Sequence, residues 1–209
     1  MSENGGGLAL DLERHQYSFD GKRVGGVSEI LTGLGIVDRS WFTEFACARG
    51  SAVHAAIEYL LHGRLDCRSL DERIKGYVEA AVAFIDAAGI YRSPQLVIER
   101  PVWHPVWRFA GMPDLIAEAF GELSLIDWKT GGASFAGLQT AAYDDAYRFD
   151  KPTVKPLRRM AVQLKSDGTF KKTDLRDARD YTDFQACCLI YNKYVLPRRI
   201  RGTDDDDGN

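Results

Sequence analysis

The run Leu125-Ile126-Asp127-Trp128-Lys129 constrains this chain more than any other segment. Its apolar and aromatic residues predict a strand, and strand side chains alternate between faces. Asp127 and Lys129 therefore share one face, and Trp128 takes the other. One hairpin earlier stands Gly111-Met112-Pro113-Asp114, which ends in a second acid. A sheet that brings these runs together carries two carboxylates and an ammonium on one side. Carboxylates in that setting bind magnesium, with the ammonium as a charged helper, and such a site suits phosphodiester hydrolysis.

A chain of 209 residues is long enough for one domain with a substantial core. Its hydrophobic fraction of 45% and charged fraction of 27% are those of a soluble globular protein. No apolar run approaches the ~20 residues of a membrane span. Met1-Ser2-Glu3-Asn4 and the three glycines that follow offer neither a basic nor an apolar leader, which predicts a cytoplasmic protein without membrane contact. Cys47, Cys67, Cys187 and Cys188 have no zinc-ribbon or iron–sulfur spacing, and the last two are expected as packed thiols. The net charge of −3 argues weakly against a large nonspecific nucleic-acid surface. Part of it comes from Asp204 to Asp207, in a segment expected to hang free.

The expected organisation is a flexible lead over 1–12, a single domain over 13–200 and an acidic disordered tail over 201–209. Residues 17–24 predict a hairpin turning at Asp20-Gly21. Ser28 is expected to cap a short helix to Leu34. Longer helices are expected from Ser40 to Leu61 and from Asp71 to Ala88, the second ended by Gly89. Residues 95–103, 107–118 and 122–129 predict three antiparallel strands in a meander, separated by His104-Pro105 and Phe120-Gly121. A helix over 135–149, a hairpin around Asp167-Gly168 and a last helix over 177–195 complete the order.

Asp114 and Asp127 are the candidate metal ligands, and the Trp128 carbonyl lies beside them in sequence. Lys129 is the candidate to orient the attacking water or steady charge on the phosphoryl oxygens. His54 and Glu58 stand four apart on a predicted helix, so they share a face, and His54 could hold a metal or its water. Gln139 and Tyr143 repeat that spacing and suit a phosphate or a base. Glu99 is a further candidate acid. Arg148, Lys151, Lys155, Arg158, Arg159, Lys165, Lys171 and Lys172 could follow a DNA backbone.

These residues resemble the PD-(D/E)xK nuclease superfamily, in its RecB-like and phage-exonuclease branch. The resemblance covers roughly Tyr17 to Tyr194. It matches His54 to the His of the first core helix, Asp114 to the first motif acid, Asp127 and Lys129 to the second acid and lysine, and Gln139 with Tyr143 to the branch's Gln-x-x-x-Tyr. The fold it implies is mixed α/β, a central mixed sheet flanked by helices in the order α-β-β-β-α-β, with extra helices at both ends. The activity it implies is a stand-alone, magnesium- or manganese-dependent DNA exonuclease of phage or prophage type. His54, Asp114, Asp127 and the Trp128 carbonyl would hold the metal, while Gln139, Tyr143, Arg148 and Lys151 would meet DNA. It is compatible with a homo-oligomer and with a recombination partner such as a single-strand annealing protein. The cysteines lack the family's cluster pattern, so no iron–sulfur cluster is expected. No Gly-rich phosphate loop is present, so unwinding would come from a partner. Two alternatives are a structure- or sequence-specific endonuclease and a non-cutting module that binds DNA ends.

Overall fold

A computed structural model describes residues 7–11, 14, 16–38 and 42–206. The chain opens with β1 Leu8–Asp11, β2 Gln16–Phe19 and β3 Lys22–Gly26. Asp20 and Gly21 both take positive φ, 50° and 72°, which fits the tight β2–β3 turn foreseen at that pair. Part of the expected flexible lead is thus strand: β1 pairs with β2 from Leu8↔Phe19 to Asp11↔Gln16.

Helix α1 Val27–Gly33 follows. Its cap is Gly26 rather than Ser28. The Glu29 carboxylate reaches back to accept from the Gly26 N–H at 3.2 Å, which satisfies one of the first turn's free donors. Helix α2 Glu44–Leu61 starts later than expected because Thr43 is the cap, accepting from the Ala46 N–H at 3.1 Å; Ser40 lies outside the described residues. Helix α3 Glu72–Ala88 has the foreseen ends, an Asp71 cap and a left-handed Gly89 at φ 72°.

The predicted three-strand meander is where the structure departs most. Residues 95–103 split into β4 Leu96–Ile98 and β5 Val102–His104, and residues 107–118 into β6 Phe109–Gly111 and β7 Leu115–Ala119. The breaks fall at Glu99, whose φ is 44°, and at Met112-Pro113-Asp114. Each half joins a different sheet. One has the order β1-β2-β3-β6-β5. The other holds β4, β7 and β8 Glu122–Lys129; after helix α4 Ala136–Asp150 it is completed by β9 Arg158–Leu164 and β10 Phe170–Asp174. Both sheets are mixed. β3 runs parallel to β6, and β8 runs parallel to β9 from Ser124↔Arg158 to Lys129↔Gln163. The fold class is the expected one, mixed α/β with helices flanking the strands, but with two sheets in place of one.

The last helix also differs. Asp177 accepts from the Arg179 N–H and opens α5 Arg179–Ile190. A π-helical turn Tyr191–Val195 then leads into α6 Leu196–Asp206, which takes in most of the acidic segment expected to hang free.

The core explains the alternation in β8. Leu125 packs with α1, α4 and α5 residues such as Val27, Tyr143 and Phe184. Ile126 and Trp128 pack on the opposite face with Val53, Phe84 and Val162. Trp128 meets Phe84 edge-on at 5.5 Å. Asp127 and Lys129 therefore lie on the α4 side of a strand whose residues from Ser124 to Trp128 are all buried. Cys187 and Cys188 are packed thiols, as expected. Among the described residues, no helix is long and apolar enough to cross a membrane.

Candidate active site

Strand register builds the site. β7 pairs with β8 at Leu115↔Ile126, so one step further sets Asp114 opposite Asp127. β4 pairs with β7 at Ile98↔Leu115, so one step further sets Glu99 opposite Asp114. The Glu99 N–H donates to the Asp114 carbonyl at 3.2 Å, which holds that last rung. Three acids thus stand in a row across three strand ends. Like charges directly opposite one another destabilise a sheet unless something positive intervenes.

His54 enters this row from α2. Its Nδ1 lies 3.4 Å from Asp114 Oδ1 and 3.9 Å from Glu99 Oε1. Its Nε2 is 3.1 Å from the Trp128 carbonyl, which accepts from it. The donor atoms of His54, Glu99 and Asp114 all lie within 4.8 Å of one another, a grouping able to hold a metal ion. Glu58, one turn along α2, adds a further negative field at Glu99.

Lys129 supplies positive charge on the other side. Its Nζ donates to Asp127 Oδ1 at 2.8 Å and to Gln139 Oε1 at 2.9 Å. Gln139 Nε2 in turn donates to the Tyr143 hydroxyl at 3.0 Å. Gln139 and Tyr143 are buried, so the pair expected to face a phosphate is turned toward Lys129 instead. Gly111 makes room for it. A Cβ there would run into the Tyr143 ring and come within 2.9 Å of Val27 Cγ2.

The charges are unequally tolerated. Burial works against a charged His54, yet the Asp114 and Glu99 carboxylates more than offset it and hold the imidazole well above its usual value. Burial also opposes charge on Asp114, but His54, Lys129 and the Trp128 N–H, donating at 2.7 Å, draw it below the usual carboxylate range. Asp127 goes the other way. Burial and then Asp114 outweigh Lys129, and its carboxyl is pushed up to about 6. Glu99 is also raised, by burial first, with Asp114 and Glu58 adding repulsion.

The residues fit a divalent cation. Carboxylates, a carbonyl and one imidazole are ligands for magnesium or manganese. Asp127 Oδ2 is buried and makes no directed hydrogen bond, although Lys129 Nζ is 2.8 Å away. Such an oxygen has capacity for a metal.

Other candidates lie apart. Arg148 is held by the buried Asp144 at 3.1 Å and stacks over Tyr181. Arg159 is buried against Asp180, and Arg158 and Lys172 share Asp174. These four are tied into the scaffold, while Lys151 sits over the Tyr147 ring. Sequence reasoning did not find Tyr17. Its phenol is pushed up to about 12, by burial first and then by the negative charge of Glu99.

The sequence pattern of the PD-(D/E)XK nuclease superfamily matches residues 33–188. The chain is 29% identical over 92 residues to the human protein named mitochondrial genome maintenance exonuclease 1. That stretch is 43% of this chain and 25% of the human one, so the chain spans about a quarter of that relative's length. A solved structure of a protein assigned as an exonuclease from Eubacterium rectale overlaps 87% of this chain and 75% of its own, at 10% identity and a TM-score of 0.49.

Proposed function

The chain belongs to the PD-(D/E)XK nuclease superfamily, and from that premise we propose that it is a divalent-metal-dependent DNA exonuclease, magnesium or manganese serving as cofactor. The observation that carries this reading is the row Glu99, Asp114, Asp127, with His54 at one side and Lys129 at the other. His54, Glu99, Asp114, Asp127 and the Trp128 carbonyl would hold the cation. When bound, it would polarise a phosphoryl oxygen and acidify a water.

This chain's own residues do the rest. Lys129 orients the water and offsets charge developing on the phosphoryl oxygens. Gln139 holds the ammonium through its Oε1, and Tyr143 holds Gln139, so both act as positioning residues for Lys129. Asp127 accepts from Lys129 and fixes its direction. The proposal extends to a cytoplasmic role in phage-type recombination or DNA processing, with a single-strand annealing protein as the kind of partner that role calls for. The name of the human relative supports an exonuclease over an endonuclease.

The test is digestion of end-labelled linear DNA and covalently closed circles with magnesium, manganese or EDTA, beside Asp127→Asn. Metal-dependent loss of linear DNA, with circles spared and the variant inactive, is the expected result. Cutting of circles would move the assignment to an endonuclease. Binding without cutting would make the chain a DNA-end-binding module.

A further inference from the structure

Helix α2 meets the end of β8 at two carbonyls. His54 takes that of Trp128, and Arg49 Nη2 donates to that of Thr130 at 3.2 Å. The N–H and C=O of one residue leave a strand on the same side, and residues two apart repeat that side. The Trp128 N–H goes to Asp114, so this is the β7 side, where the acidic row stands. Thr130 directly follows the last residue of β8. Two residues along a strand advance about 6.6 Å. Arg49 is therefore set one such step past His54, on the rim of the row. The helix is close here, since a Cβ on Gly50 would already touch Thr130 Oγ1 at 3.5 Å.

The guanidinium is held in place but not neutralised. It lies over the Phe45 ring at 5.9 Å and over the Tyr77 ring at 5.2 Å, and the two rings restrict how it can turn. His54 and Lys129 take the acids of the row, while Arg49 forms no ion pair among the described residues. A guanidinium has five N–H donors. Among the described residues, the Thr130 carbonyl is the acceptor for Arg49, and its Nε is buried without a partner. Nη1 and the second Nη2 hydrogen are left as an open fork. Arg148, Arg158, Arg159 and Lys172, by contrast, are each bound to an acid.

We infer that Arg49 takes the phosphate next to the one being cleaved, an assignment that rests on the nuclease reading above. Successive phosphates of a DNA strand are spaced much as His54 and Arg49 are along β8. With one phosphate over the acidic row, its neighbour on one side reaches the open fork. A planar fork accepts two phosphate oxygens at once, which fixes the strand's register as well as its charge. The contact to Thr130 then couples that register to Lys129, the preceding residue.

The test removes one substrate charge at a time. Labelled oligonucleotides carry a single neutral methylphosphonate, placed at the linkage on either side of the cleavage point mapped with unmodified DNA. Single-turnover cleavage in magnesium is measured for the full unsubstituted chain, Arg49→Ala and Arg49→Lys. One neighbouring methylphosphonate should slow the unsubstituted protein about tenfold or more. Arg49→Ala should be slow on unmodified DNA and lose little further at that linkage, while Arg49→Lys keeps part of the sensitivity. If the two losses multiply in Arg49→Ala, the residue only pins the Thr130 segment and the inference is overturned. It is also overturned if neither neighbouring linkage affects the unsubstituted protein. A second readout does not depend on turnover. In chains carrying Asp127→Asn, Arg49→Ala should lower the slope of log affinity against log salt by about 0.7 to 0.9, and Arg49→Lys should keep it. An unchanged slope overturns the inference. If the unsubstituted protein does not cut unmodified DNA, the nuclease reading itself fails; if it cuts and the losses multiply, only the Arg49 assignment fails.

Discussion

Asp127 offers the most direct test of the site's electrostatics. It is 1% exposed, and its carboxyl is pushed up to about 6 by burial and by Asp114. A carboxyl of raised pKa stabilises the fold while it is protonated. That contribution is complete below its unfolded value of about 4 and is lost as pH rises through about 6. Each pH unit in that window is worth about 1.4 kcal/mol. The cation-free fold should therefore lose on the order of 3 kcal/mol through this one group between acid and neutral pH. Asp127→Asn preserves the shape and removes the titration. In EDTA, urea unfolding from about pH 4 to about pH 7.5 should show the variant gaining on the unsubstituted protein by on the order of 3 kcal/mol across the range. Magnesium should then reverse the order at neutral pH, because a ligand that binds only the native state stabilises it in proportion to its affinity. Parallel profiles in EDTA would refute the argument, since Asp127 would then be ionised at no cost.

Gly111→Ala should cost about 1–3 kcal/mol in urea unfolding, because its methyl group displaces Tyr143; full stability would show that the ring has room to move. Gln139→Leu should lower kcat far more than it raises KM, since Gln139 touches Lys129 and is itself buried; a change confined to KM would mean that it contacts substrate. Phe84→Ala should destabilise by about 3–5 kcal/mol, because Phe84 is fully buried among Trp128, Phe120 and Phe170; a loss below about 1 kcal/mol would mean that the site collapses around the gap.

What could be read from the sequence follows the range of the interactions involved. Asp127 and Lys129 were legible because alternation is a property of the strand alone. The α3 ends were legible because Asp71 and Gly89 act within a turn or two of themselves. Glu99 is different. Its place opposite Asp114 depends on how β4 pairs with β7, and no local signal carries register. The bends at Glu99 and at Met112-Pro113-Asp114 were hidden inside apolar runs that looked continuous, although Pro101 and Pro113 hinted at interruptions. The spacing of Gln139 and Tyr143 gave a shared face but not its direction. That direction follows from the missing side chain at Gly111, a residue of another segment.

Glu29 ties together parts of the chain that ribosomal synthesis makes far apart in time. Its carboxylate accepts from Arg23 at 2.7 Å and from the Tyr191 hydroxyl at 2.7 Å, and Arg199 approaches to 3.4 Å. The Tyr191 ring also lies close against Gly25 and Gly33, so α1 is seated against a residue more than 150 positions later. A chain emerging from its amino end has made every acid of the row long before it can complete the frame around α1. The nascent protein carries its charges early and its rigidity last.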